Sequence, residues 1–206
     1  MTNRDVARDR SVPEPKPLRL FVAVDVPEPL KVALAAAVAP FRDRIPGARW
    51  TNLDGWHVTV KFLGATWPRL VANVDAAVAS VAASSAPFET AITELGVFPS
   101  PRRARVVWAG LSDAEGRFAH LVRTLDERLA DDFEPEDRPF SPHLTVARLT
   151  PTRDINEFAP GLVGTSVASE PFLATHLVLY RSHLSPRGAT YEPVLRAPLG
   201  DPGILD

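Results

Sequence analysis

The sequence predicts an α+β fold with antiparallel sheets, arranged as two similar lobes. Three observations predict it. Short β-branched runs alternate with Ala-rich helical segments, yet several runs lie close enough together to pair as hairpins. No glycine-rich phosphate loop follows any run. The nearest candidate, residues 161–164, lacks the lysine such a loop needs. A four-residue pattern occurs twice, 86 residues apart, about the length of one half of the chain.

The elements follow in order. Residues 1–17 are polar, end in Pro13, Pro15 and Pro17, and read as a disordered leader. Residues 20–26 (LFVAVDV) read as a strand, and Pro27 suits the start of an Ala-rich helix over 27–40. A strand is predicted over 56–63 and a helix over 68–84. Residues 88–98 and 105–111 read as two strands joined by a turn at Pro99–Ser100–Pro101. Phe118, Leu121, Val122, Leu125 and Leu129 recur at helical spacing, which predicts a helix over 113–129. Strands follow over 143–149, 172–182 and 191–196, and residues 198–206 read as a loose tail. One domain over 18–197, built of two lobes, accommodates these elements.

Composition narrows the function. The 206 residues are 45% hydrophobic and 23% charged, with a formal net charge of −2. A long duplex partner is not favoured by that charge, whereas a small anion or one RNA end needs only a local cluster of donors. There are no cysteines, which excludes disulfides, thiol catalysis and Cys-ligated zinc. The N-terminus lacks the apolar run of a signal peptide, and no stretch has the roughly 20 apolar residues needed to span a bilayer. A cytoplasmic, monomeric protein without a membrane partner is expected.

The repeated pattern carries the chemistry. His57–Val58–Thr59–Val60 and His143–Leu144–Thr145–Val146 each read His, aliphatic, Thr, Val. Side chains alternate faces along a strand, so each imidazole shares a face with its threonine hydroxyl and the aliphatic pair turns to the other side. If the lobes face each other, two imidazoles and two hydroxyls line one cleft. That set suits phosphodiester cleavage without a metal. One neutral histidine takes a proton from the nucleophile and one protonated histidine gives a proton to the leaving oxygen. The hydroxyls donate to non-bridging phosphate oxygens. By parity Lys61 falls on the His57 face and Phe62 on the core face. Arg148 points away from His143 unless the strand bulges.

At these residues the chain resembles the two-histidine phosphoesterase superfamily, specifically the LigT-like RNA 2′,3′-cyclic phosphodiesterases. The resemblance covers nearly all of residues 18–196. Arg19–Leu20–Phe21–Val22–Ala23–Val24 is similar to the opening strand, and His57–Val58–Thr59–Val60–Lys61–Phe62–Leu63–Gly64 to the first motif. Phe98–Pro99 and Val106–Val107–Trp108–Ala109–Gly110 resemble the middle hairpin. Phe140–Ser141–Pro142–His143–Leu144–Thr145–Val146–Ala147–Arg148 resembles the second motif, with Val146 where many relatives carry leucine. Leu179–Tyr180–Arg181–Ser182, then Leu184, Gly188 and Tyr191, resemble the closing strands.

The resemblance implies a bilobal fold with concave antiparallel sheets around a cleft. It implies hydrolysis of a 2′,3′-cyclic phosphate at an RNA end to a 2′-phosphate, with no metal or other cofactor. His57 would be the proton donor to O3′, His143 the proton acceptor, and Thr59 and Thr145 the phosphate ligands. Lys61 and Arg148 are further candidates for phosphate binding. Ligation through a 2′–5′ bond, another small cyclic nucleotide as substrate, and a non-catalytic nucleotide-binding module are the alternatives.

The other histidines, His120, His176 and His183, read as surface or packing residues. The basic run Arg102, Arg103 and Arg105 reads as a solvated turn that would also suit an RNA backbone. Trp67, Phe98 and Tyr180 are candidates for base stacking. A metal site at His57 and His143 lacks any HExxH-like spacing.

Overall fold

The computed structural model describes residues 15–186 and 188–200. The leader expected over 1–17 and the tail expected over 198–206 fall largely outside these residues. The described part of the tail is held rather than loose. Leu199 is buried and its N–H donates to the Thr175 carbonyl, while the Gly200 N–H donates to the Ala82 carbonyl.

The chain runs β1 (Leu18–Asp25), α1 (Glu28–Val38), β2 (Ala48–Trp50), β3 (His57–Thr66), α2 (Pro68–Ala83), β4 (Phe88–Thr90), β5 (Ile92–Phe98) and β6 (Ala104–Leu111). It continues with α3 (Arg117–Arg128), β7 (His143–Arg153), α4 (Ile155–Phe158), β8 (Phe172–Ala174), β9 (His176–Ser185) and β10 (Gly188–Pro198). Two four-stranded sheets form, ordered β10-β9-β1-β3 and β2-β7-β6-β5, with β4 and β8 paired as a small ribbon. Every pairing is antiparallel. The two-lobed α+β reading therefore describes the molecule, one sheet to each lobe.

Two predicted strands break where the chain changes sheet. The 88–98 run divides at Ala91, whose N–H donates to Ser112 Oγ at 2.9 Å, while Thr90 Oγ1 donates to the Ser112 carbonyl at 2.8 Å. The 172–182 run divides at Thr175. The freed ends, β4 and β8, pair with each other. The sequence does not announce β2, since three residues offer no alternation to read. The third helix starts at Arg117 rather than Asp113. The Asp113 carboxylate accepts from the N–H groups of Phe118 and Ala119 and satisfies two donors of its first turn. Gly116 takes a positive φ of 66° there, a left-handed turn that favours glycine.

The core lies between the sheets and their helices. Leu20, Val22 and Val24 of β1 and Val58 and Val60 of β3 pack with Leu34, Val38, Val74, Val78 and Val81. The same cluster takes in Val107, Ala109, Leu144, Val146 and Leu149 of the second sheet and Phe118, Leu121 and Leu125 of α3, a helix that lies against α2 and β3. Each sheet thus commits one face to aliphatic packing, which leaves the other free for the polar residues of the repeat. Among the described residues no helix is long and apolar enough to cross a membrane.

Candidate functional site

β3 begins at His57 and pairs with β1, Asp25 opposite His57 and Ala23 opposite Thr59. Between Ala23 and Val22 the register shifts, so Val60 is an extra residue on β3. That is a β-bulge, and it reverses the alternation beyond it. His57 and Thr59 stay half-buried on one face. Val60 and Lys61 are both buried, and Phe62 emerges on the histidine face, 63% exposed.

β7 repeats this geometry. Gly110 lies opposite His143 and Trp108 opposite Thr145, and a register shift before Val107 makes Val146 the extra residue. His143 and Thr145 are half-buried, Val146 and Ala147 are buried, and Arg148 emerges exposed on the histidine face. The two bulges are 86 residues apart, as the histidines are.

The two motif strands touch each other, and Thr51 links them. Its N–H donates to the Val146 carbonyl at 2.9 Å, and its hydroxyl reaches the carbonyls of Thr145 and Val146 at 3.0 Å each. Trp56, just before His57, donates from Nε1 to the same hydroxyl at 2.6 Å.

The His143 imidazole is held by the backbone two residues upstream. His143 Nδ1 donates to the Ser141 carbonyl at 2.7 Å, which leaves Nε2 as the free nitrogen. The Gly55 backbone, two residues before His57, acts to raise that ring's pKa. The rings differ in their surroundings. His57 stacks on Phe21 at 4.7 Å and meets Tyr191 edge-on at 5.0 Å. His143 meets Phe98 edge-on at 5.1 Å, and the Trp108 ring lies at 6.4 Å. Gly96 makes room for that Trp108 ring, since a Cβ there would lie 2.2 Å from it.

A cavity of about 300 Å³ opens beside His57, lined also by Asp25, Lys31, Asp54, Tyr191 and Arg196. His143 and the two threonines do not line it. Asp25 accepts from the Tyr180 hydroxyl at 2.6 Å and from Arg196 at 2.7 Å. Burial pushes the Tyr180 phenol up, and the bond to Asp25 adds to the shift. Burial pushes His57 down to about 4. The Asp25 carboxylate and the Gly55 contact oppose the shift, and Lys31 adds to it. His57 is therefore neutral at pH 7 in the free protein.

Comparison with known proteins decides the family. The family model "LigT like Phosphoesterase" matches residues 24–108 and 111–191. The chain belongs to the LigT-like phosphoesterase family. A Methanothermobacter thermautotrophicus relative, named RNA 2′,3′-cyclic phosphodiesterase, is 32% identical over 84% of this chain and 95% of its own. A Geobacillus stearothermophilus relative of the same name is 33% identical over 87% of this chain, a match that spans only 56% of that longer relative. The crystal structure of a Thermus thermophilus protein, TT0787, superposes with a TM-score of 0.73 at 28% identity, covering 89% of this chain and all of that one. E. coli LigT complexed with 3′-AMP shares the fold, with a TM-score of 0.72 at 22% identity over 90% of this chain and 99% of that one.

Within this LigT-like chain, two parity readings are corrected by the bulges. Lys61 is not on the His57 face: it is 2% exposed, ion-pairs with Asp126 of α3, and donates to the Glu134 carbonyl at 3.1 Å. Phe62 is not core but exposed beside Phe21. Arg148 shares the Thr145 face because its strand does bulge. The remaining histidines lie at the surface. His120 contacts Arg123, His176 contacts Thr175 and His183 pairs with Glu192. Sequence reasoning did not find Asp25, Phe21, Tyr191 or Arg196 around His57, because cross-strand neighbours leave no local signal. Among the described residues no group of three or more His, Asp or Glu side chains is placed to hold a metal.

These surroundings can be tested by substitution and by pH. Lys61→Met strands the Asp126 carboxylate and is expected to lower stability by about 3 kcal/mol. The Lys61→Met/Asp126→Leu double variant should recover most of that in urea unfolding. An unchanged midpoint in the single variant would show that the buried pair holds nothing. For His57 the folded pKa lies below the ordinary 6.5. The unfolded chain therefore binds the proton first, and this group removes stability as pH falls from about 6.5 to about 4. Between pH 7 and pH 4.5 the wild type should lose up to about 3 kcal/mol more than His57→Asn. Parallel losses in the two proteins would contradict the shift.

Proposed function

We propose that this chain is an RNA 2′,3′-cyclic phosphodiesterase that opens a terminal cyclic phosphate to a 2′-phosphate by metal-independent two-histidine catalysis. One observation carries the reading. Two strands bear the same His-x-Thr pattern and the same bulge one residue past the threonine. A folding requirement alone gives no reason to build that arrangement twice. The relatives named RNA 2′,3′-cyclic phosphodiesterase support the substrate class.

Water attacks phosphorus, and His143, with Nε2 free, takes its proton. The bond from phosphorus to O3′ breaks, His57 gives its proton to O3′, and the product has a 2′-phosphate and a 3′-hydroxyl. Thr59 and Thr145 donate to the non-bridging oxygens, where charge accumulates in the transition state. Arg148, on the Thr145 face, adds positive charge. Neutral in the free protein, His57 acquires its proton with the substrate, because an anionic phosphate beside the ring opposes the effect of burial.

The test incubates purified protein, with EDTA, with a short RNA ending in a 2′,3′-cyclic phosphate. A 2′-phosphate end should form, and His57→Ala or His143→Ala should each lower kcat by at least about 100-fold. Inert wild type that still binds the RNA would favour a nucleotide-binding module. A ligated product in place of hydrolysis would favour the 2′–5′ ligase.

A further inference from the structure

β2 is an edge strand of the second lobe, and its register sets Arg49 directly opposite Arg148 of β7. Both are exposed. Cross-strand partners share a face, so Arg49 joins Arg148 on the face that carries His143 and Thr145. Across the sheet that row reads Phe98, Val106, Arg148, Arg49, and the row beside it reads Gly96, Trp108, Thr145.

Like charges at directly opposed positions, with Cβ atoms about 4.5–5.5 Å apart, destabilise a sheet. The usual relief is a carboxylate, and none is supplied. Among the described residues neither guanidinium makes an ion pair or a hydrogen bond. The pair therefore offers up to about ten N–H donors with no internal acceptor, on a chain whose overall charge is slightly negative. Planar guanidinium forks match the oxygens of a phosphate. The arginine row lies about 7 Å along the strands from the Thr145 row, two residues of strand rise. That is comparable to the step between neighbouring phosphates of one RNA strand, and β2, being the edge, lets the strand run on into solvent.

We propose that Arg49 and Arg148 form an anion subsite for the internucleotide phosphodiester on the 5′ side of the cyclic end. The subsite makes an RNA end a better substrate than a free cyclic mononucleotide. It rests on the function proposed above and extends it to what lies beyond the reacting phosphate. Arg148 stands between the two phosphates, and Arg49 serves the upstream one.

The experiment compares kcat/KM for a 5′-hydroxyl nucleoside 2′,3′-cyclic phosphate and for a trinucleotide ending in the same cyclic nucleotide. It uses wild type, Arg49→Gln and Arg49→Lys at two salt concentrations. Arg49→Gln should lower kcat/KM on the trinucleotide about tenfold, chiefly through KM, with a loss several-fold smaller on the mononucleotide. The salt dependence on the trinucleotide should lose about one unit of log–log slope, and Arg49→Lys should retain part of the preference. Equal losses on both substrates, or no loss on the trinucleotide, would overturn the subsite. If wild type turns over neither substrate, the function proposed above fails by itself. Equilibrium binding of a trinucleotide ending in a 2′-phosphate then decides the subsite: tenfold weaker binding by Arg49→Gln supports it, and equal affinity overturns it.

Discussion

The first one-residue bulge of each motif strand, at Val60 and at Val146, is the constraint on which the rest of the structure depends. Without it, strict alternation would turn Lys61 toward the histidine face and Phe62 and Arg148 into the core. With it, each strand keeps His and Thr on one face and then exchanges which side is buried. Lys61 goes inward to meet Asp126, and Ala147 packs at the matching place in the second lobe. The bulged carbonyl of Val146 is taken up by Thr51, whose hydroxyl also receives the Trp56 indole N–H. A local irregularity of one strand is thereby tied to the start of the other.

The lobes share a plan but not an environment. His57 lies among Phe21, Tyr180 and Tyr191, with Asp25 opposite it on the neighbouring strand. Burial favours its neutral ring, and Asp25, anchored by Tyr180 and Arg196, partly offsets that. At the place of Asp25 the second lobe has Gly110. Two like residues with unlike surroundings are what an acid–base pair needs, since one imidazole must hold a proton while the other lacks one.

Much of this was legible in the sequence because the repeat is short and placed on strands. Period-two alternation read His57, Thr59, His143 and Thr145 onto their faces, and the 86-residue spacing read as two lobes. The reading failed where position depends on pairing rather than on period. A bulge is set by register with a partner strand, so Lys61 and Phe62 were assigned to each other's faces. Asp25 and Arg49 reach their neighbours only across strands, and nothing in their own segments announces it. β2 is too short to show a pattern, and β4 and β8 look continuous with β5 and β9 until the chain's change of sheet is seen.

The central claim is that His57 and His143 act as one unit on one phosphate. The most direct measurement is the kcat of His57→Ala, His143→Ala and the double variant on an RNA 2′,3′-cyclic phosphate end. Groups that work as a unit are grossly non-additive. The double variant should therefore lose about as much as the worse single variant. Losses that multiply would show two independent contributions and contradict the account.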